Sequence, residues 1–90
     1  MRCSRRSLLL DRYVGNRVEI TRPDGIYIGY LRYADGWYYM DNFYYLEKTD
    51  NGYAKPVMKE HWMFRKSNVQ RAKDIKMISK DAVVDMRGAE

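Results

Sequence analysis

Few residues in this chain carry the chemistry that catalysis or metal binding needs. His61 is the only histidine and Cys3 the only cysteine. Zinc sites draw on several such ligands at short spacing, and these two stand far apart. A single cysteine allows no intrachain disulfide, and Cys3 reads as a bystander thiol near the chain start. Asp24, Asp35 and Asp50 belong to the turn sequences Asp24-Gly25, Asp35-Gly36 and Asp50-Asn51-Gly52. They are better explained as turn formers than as an acid/base pair. No Gly-rich phosphate loop leads into a helix, and no G-x-S-x-G elbow occurs. The inventory lacks the positioned groups of an active site. The chain therefore reads as a binding protein and not an enzyme, with no cofactor and no metal.

Aromatic faces and positive charge are what the chain does supply. The formal net charge is +5, which points to a polyanion such as RNA or DNA. Of its 2 Trp, 9 Tyr and 2 Phe, nine lie between Tyr27 and Tyr45. Strand alternation sends neighbours to opposite faces, so they cannot all enter one small core. Tyr38 and Met40 share one face; Trp37 and Tyr39 share the other. One face is core, and the other is solvent, a subunit interface or a ligand platform. Aromatic rings stack on unpaired bases, worth about 1–3 kcal/mol per base, and interleaved Arg and Lys neutralise phosphates. Tyrosine is also common in strands and interfaces, so the run alone leaves both readings open.

The elements that must position these residues are punctuated clearly. Asp24-Gly25, Asp35-Gly36 and Asn51-Gly52 are hairpin dipeptides suited to type I′ turns, and three hairpins imply a four-stranded meander. Val18-Glu19-Ile20 alternates as a half-buried strand does. Gly29 interrupts the β-branched and aromatic stretch 26–33, and Asp41-Asn42 interrupts 37–46, so both strands are expected to bend. Pro56 makes its neighbourhood loop or edge. Ser7 can cap a short helix over Leu8 to Tyr13, with Gly15 just past its end. A fifth strand is expected near Asn68-Val69, and Ile75, Met77 and Ile78 offer one more strand or helical turn. Ninety residues make one domain. No apolar run approaches the roughly 20 residues of a membrane span, and Leu8-Leu9-Leu10 is too short for a secretory core. An intracellular, cytoplasmic protein without a membrane partner is expected.

In order along the chain, these segments resemble the Sm/LSm family. Leu8 to Ile20, reading LLLDRYVGNRVEI, is similar to that family's Leu-rich helix followed by V-G-x-R-V-x-V. Asp24-Gly25 with Gly29-Tyr30-Leu31 resembles its D-G turn and G-x-L strand. Phe64-Arg65-Lys66-Ser67-Asn68-Val69 resembles its second motif, I-R-G-x-x-V. The family's first motif continues D-x-x-M-N. Asp35 matches that Asp without a gap, which sets Tyr38 and Tyr39 at Met and Asn. Alternatively, Met40-Asp41-Asn42-Phe43 matches the later L-x-D/N-V, which brings Trp37 to the Asn position. In both alignments an aromatic replaces the Asn that helps to hold a base, and Lys66 replaces the glycine.

The resemblance implies a mainly β fold: a short N-terminal helix, then a strongly bent five-stranded antiparallel SH3-like barrel. It implies an Sm-like domain over 1–75, a charged tail over 76–90 and a homo-hexameric or homo-heptameric ring. Single-stranded RNA would bind near the pore. Arg65 and Lys66 would supply charge and donors, Asp35 would sit in the neighbouring loop, and Trp37 or Tyr39 would supply the stacking surface. Two other classes fit the same residues. One is an SH3-like protein-interaction module gripping a peptide. The other is a structural oligomer that has lost RNA binding.

Overall fold

The computed structural model describes residues 8–65, 69 and 71–78. Cys3, the Ser7 cap, Lys66, Asn68 and the tail from residue 79 lie outside that set. The fold is mainly β, a curled antiparallel half-barrel sheet. Its elements are α1 (Leu8–Asp11), β1 (Arg17–Arg22), β2 (Gly25–Tyr30), β3 (Arg32–Ala34), β4 (Trp37–Thr49), β5 (Gly52–Tyr53), β6 (Val57–Phe64), a 3-10 turn (Ala72–Asp74) and β7 (Ile75–Met77). The sheet path is β3-β4-β2-β1-β7, with β5 and β6 also pairing β4. The strand after β6 is thus Ile75–Met77; Val69 is buried but lies outside any strand. β7 pairs antiparallel with β1.

The helix expected over 8–13 is cut to a single turn. After Asp11 the chain tightens: the Tyr13 and Val14 N–H groups donate to the carbonyls of Leu10 and Asp11, three residues back. Gly15, at φ 89, then turns the chain away. Leu10 remains fully buried, and the Tyr38 hydroxyl donates to Asp11 Oδ1 at 3.0 Å. Those two contacts seat the turn on the core.

The three hairpin dipeptides play different parts. Asp35 (φ 53) and Gly36 (φ 84) form the expected left-handed pair between Ala34 and Trp37. At the first hairpin Arg22 pairs with Gly25, so Pro23 and Asp24 are the central residues. The φ there is not positive, as suits Pro at the first central position. Gly25 is needed for space instead: a Cβ would lie 2.3 Å from the Leu46 carbonyl oxygen. At the third hairpin Thr49 pairs with Gly52, leaving Asp50 and Asn51 at the tip.

Two bends curl the sheet. Gly29 brings β2 against β4, where a Cβ would sit 2.7 Å from the Phe43 Cβ. Leu31 then breaks the ladder. Its N–H donates to the Asn16 carbonyl and its own carbonyl accepts from Gly15 N–H, at 3.0 and 2.7 Å. Beyond it the register slips. Ile28 opposes Tyr44 but Arg32 opposes Tyr39, so four steps along β2–β3 face five along β4. The extra residue is a bulge on β4, and Asn42, at φ 51, lies within it. The bulge switches the alternation, so Tyr38 and Met40 point inward before it and Phe43 after it. The core gathers Leu10, Val18, Ile20, Leu31 and Phe64 around these three.

Candidate nucleic-acid interface

The register of the β4–β6 pair assembles one stripe of the outer face. Tyr39 opposes Met63 and Asp41 opposes His61, while the pair Tyr38 and Phe64 faces the core. Continuing that register by one step sets Arg65 across from Trp37. The Arg65 guanidinium lies over the Trp37 ring, 3.8 Å from its centroid. A planar cation on an indole face is worth about 0.5–1 kcal/mol at an exposed site and more when water is excluded. Arg65 also reaches the β3–β4 turn, with Nη1 4.0 Å from where a Gly36 Cβ would be. Asp35 occupies that turn and is exposed. Tyr39 follows Trp37 on the same face, half-buried, with its ring 5.8 Å from that of His61. His61 Nδ1 is in turn hydrogen-bonded to Asp41 Oδ1.

Of the residues expected to bind RNA, Trp37 and Arg65 are thus in contact and Asp35 stands in the adjoining turn. Tyr39 is one alternation step further along the strand. Lys66 lies outside the described residues. The sequence presents His61 only as a lone metal ligand; its link to Asp41 depends on the β4–β6 register, across 20 residues.

A second constellation is not visible in sequence order. On the inner face, β2 and β4 bring Tyr27 opposite Tyr45. Both hydroxyls donate to Asp24 Oδ2, at 2.5 and 3.0 Å. Arg22 Nε stands 3.9 Å from the other carboxylate oxygen. Partial burial pushes the Asp24 carboxyl up. The two hydroxyls, its own backbone N–H and Arg22 together pull it down further, leaving it below the ordinary value. Burial and the hydrogen bond to Asp24 raise the Tyr27 phenol strongly, and the same causes raise Tyr45. Trp62 stacks on Tyr27 at 3.8 Å and 13°, and on Phe64 at 4.3 Å and 21°. Beside this ladder opens a cleft of about 210 Å³. Asp24, Phe43, Tyr45, Lys59 and His61 line it together with Tyr27 and Trp62.

No protein-family model, no curated protein and no solved structure matches the chain. Among the described residues, no three of His, Cys, Asp and Glu are gathered as a metal ion would require. No helix among them is long and apolar enough to cross a membrane.

Proposed function

We propose that the chain is an Sm-like, ring-forming protein that binds single-stranded RNA near the ring pore. In this reading the half-barrel is the Sm-like form of an SH3-like barrel, and the protein works in the cytoplasm. One observation carries the proposal: the Arg65 guanidinium stacked on Trp37, beside the Asp35 turn. An Arg–Trp pair offers a flat cation and a flat π face at one point, which suits an unstacked base next to its phosphate. The net charge of +5 agrees in sign. Ring closure has support in the sheet edges. Among the described residues β6 pairs only with β4, and β7 only with β1. Each therefore has an unpaired edge, and Val57, Met58 and Met63 on β6 and Met77 on β7 are exposed. Joining the β6 edge of one copy to the β7 edge of the next satisfies both head to tail.

Native mass spectrometry and titration of a fluorescent 12-nucleotide single-stranded RNA test this together. The expected mass is that of a hexamer or heptamer. Affinity should fall steeply with salt, and Arg65→Ala should reduce the logarithmic salt slope by about 0.7 for each single-strand phosphate that Arg65 neutralises. A persistent monomer at micromolar concentration refutes the ring and its pore site. A ring with no affinity for RNA leaves a structural oligomer. Weakly salt-dependent binding of a peptide, without RNA binding, leaves the protein-interaction module.

A further inference from the structure

The inner-face cleft lies further along β4 than the Trp37–Arg65 stack. Tyr45 stands eight residues beyond Trp37 on β4, at most about 26 Å of extended strand. Its lining combines three kinds of group. Tyr45 provides the aromatic surface, whereas Phe43 is buried in the core and Trp62 has rings stacked against it, Tyr27 and Phe64. Asp24 presents a carboxylate of which Oδ2 already accepts two phenolic hydrogens, while Oδ1, with Arg22 Nε 3.9 Å away, keeps room to accept one more N–H from a ligand. Lys59 holds its ammonium 5.9 Å from the Tyr45 ring centroid.

We infer that this cleft is a second nucleobase site, taking one splayed-out base that bears an exocyclic amino group. The inference rests on the RNA-binding reading and extends it to a second residue set, which borders the first at His61 beside Tyr39. The chemistry selects the ligand class. Lys59 holds a positive charge beside the Tyr45 ring, which disfavours a cationic ligand. A drug-sized molecule needs about 300–1,000 Å³, more than the 210 Å³ here. A single heteroaromatic ring fits that space, and Lys59 is placed to meet its 5′-phosphate. Asp24 Oδ1 accepts an N–H and repels a carbonyl. Cytosine offers an amino group where uracil offers an oxygen, and carboxylates accept from the cytosine amino group elsewhere. The cleft should therefore prefer CMP to UMP, whereas the Trp37–Arg65 stack, which reads only a π face, should distinguish them little.

The two tryptophans, Trp37 and Trp62, make the sites separable by NMR of the full chain. Each site has one indole N–H signal. CMP should shift the Trp62 signal at concentrations about tenfold below those UMP needs, as expected for one hydrogen bond to a charged acceptor. Tyr45→Ala should weaken that response about 5- to 150-fold, the range of one base–aromatic stack. Lys59→Ala, at an exposed position, gives a check that does not strain the fold. It should weaken CMP binding and leave cytidine, which has no phosphate, unchanged. Nucleotides that shift only the Trp37 signal overturn this inference and leave the RNA-binding reading standing. If neither signal moves with mononucleotides or with the 12-nucleotide RNA, both are overturned. A Trp62 response to tetramethylammonium or a methylated-lysine peptide, and not to nucleotides, overturns it in favour of a cation-binding pocket.

Discussion

Replacing Tyr38 by Ala separates the packing of the β4 aromatic run from its surface role. Tyr38 is 2% exposed and ranks first in size among the fully buried side chains. Its ring lies between those of Tyr33 and Phe64, at centroid distances of 4.9 and 5.8 Å. Its hydroxyl ties β4 to α1 through Asp11. Truncating an aromatic in such a site costs about 3–5 kcal/mol. A chain of this length is held by about 5–13 kcal/mol, so the variant loses roughly a quarter of its stability or more. At about 4–8 °C per kcal/mol, the melting temperature should fall by at least about 12 °C. Trp37→Ala, one residue earlier on the opposite face, removes the Arg65 stack and only part of a buried surface. That change should cost about 1 kcal/mol. Tyr38→Phe isolates the hydroxyl and should also cost about 1 kcal/mol. Urea denaturation followed by circular dichroism measures all three in one buffer. If Trp37→Ala destabilises as much as Tyr38→Ala, the face assignment is wrong, and with it the argument that Trp37 is available to a ligand.

Gly29→Ala would press a Cβ to 2.7 Å from Phe43 Cβ. It should cost about 1–3 kcal/mol as overpacking, and a melting temperature indistinguishable from the parent's would deny that Gly29 makes the bend. The Tyr27 phenol is raised by burial and by Asp24, so the folded state keeps its proton while the unfolded chain loses it near pH 10. Stability should fall as pH rises above about 10, and Tyr27→Phe should flatten that fall; a parallel alkaline decline in both proteins would discard the assignment. Asp24 is shifted the other way, so its contribution is present above the ordinary carboxyl range and disappears as pH drops below about 4. Asp24→Asn should show a shallower acid transition than the parent. Met63→Lys, on the exposed β6 edge, should shift the native mass toward monomer while the circular dichroism spectrum stays unchanged, and an intact ring would exclude the Met63 side chain from the subunit contact.

Local signals carry most of the strand pattern. Alternation places Tyr38 and Met40 inward, and Asp35-Gly36 forms the left-handed turn that its residue types favour. The first hairpin shows the limit of that reasoning. Asp24-Gly25 looks like a φ-driven turn, yet Gly25 is required by a backbone crossing 21 residues away at Leu46. Such proximity cannot be read locally. Asp41-Asn42 is legible as an interruption, but the direction of the kink depends on the slip between the β2–β4 and β3–β4 registers. The candidate site divides similarly. Trp37 and Arg65 emerge from motif resemblance, and their contact follows from extending one register. The Asp24, Tyr27, Tyr45 and Trp62 group arises only when three strands are laid side by side.

That register also explains why the chain is so rich in tyrosine. A curled sheet has a narrow concave side, where wide flat rings fill space that branched side chains leave open. Here the rings form one continuous series: Tyr45, Tyr27, Trp62, Phe64, Tyr38 and Tyr33, each within 6 Å of the next. Four of the nine aromatics between Tyr27 and Tyr45 are in this series and Phe43 is buried beside it, so packing accounts for about half of the run and its abundance by itself says little about RNA. Trp37 and Tyr39 are not members of this series. They occupy the opposite face, where Trp37 meets a guanidinium and Tyr39 an imidazole rather than another aromatic hydrocarbon ring. The case for ligand stacking rests on these two and on the open end of the series at Tyr45. Substitutions inside the ladder should register chiefly in unfolding free energy, and substitutions at Trp37 or Tyr39 chiefly in RNA affinity. Tyr45 joins both sets: it closes the ladder against Asp24 and lines the cleft. Its variants should change stability and nucleotide binding together, so affinity for each must be measured at a temperature where the folded fraction is complete.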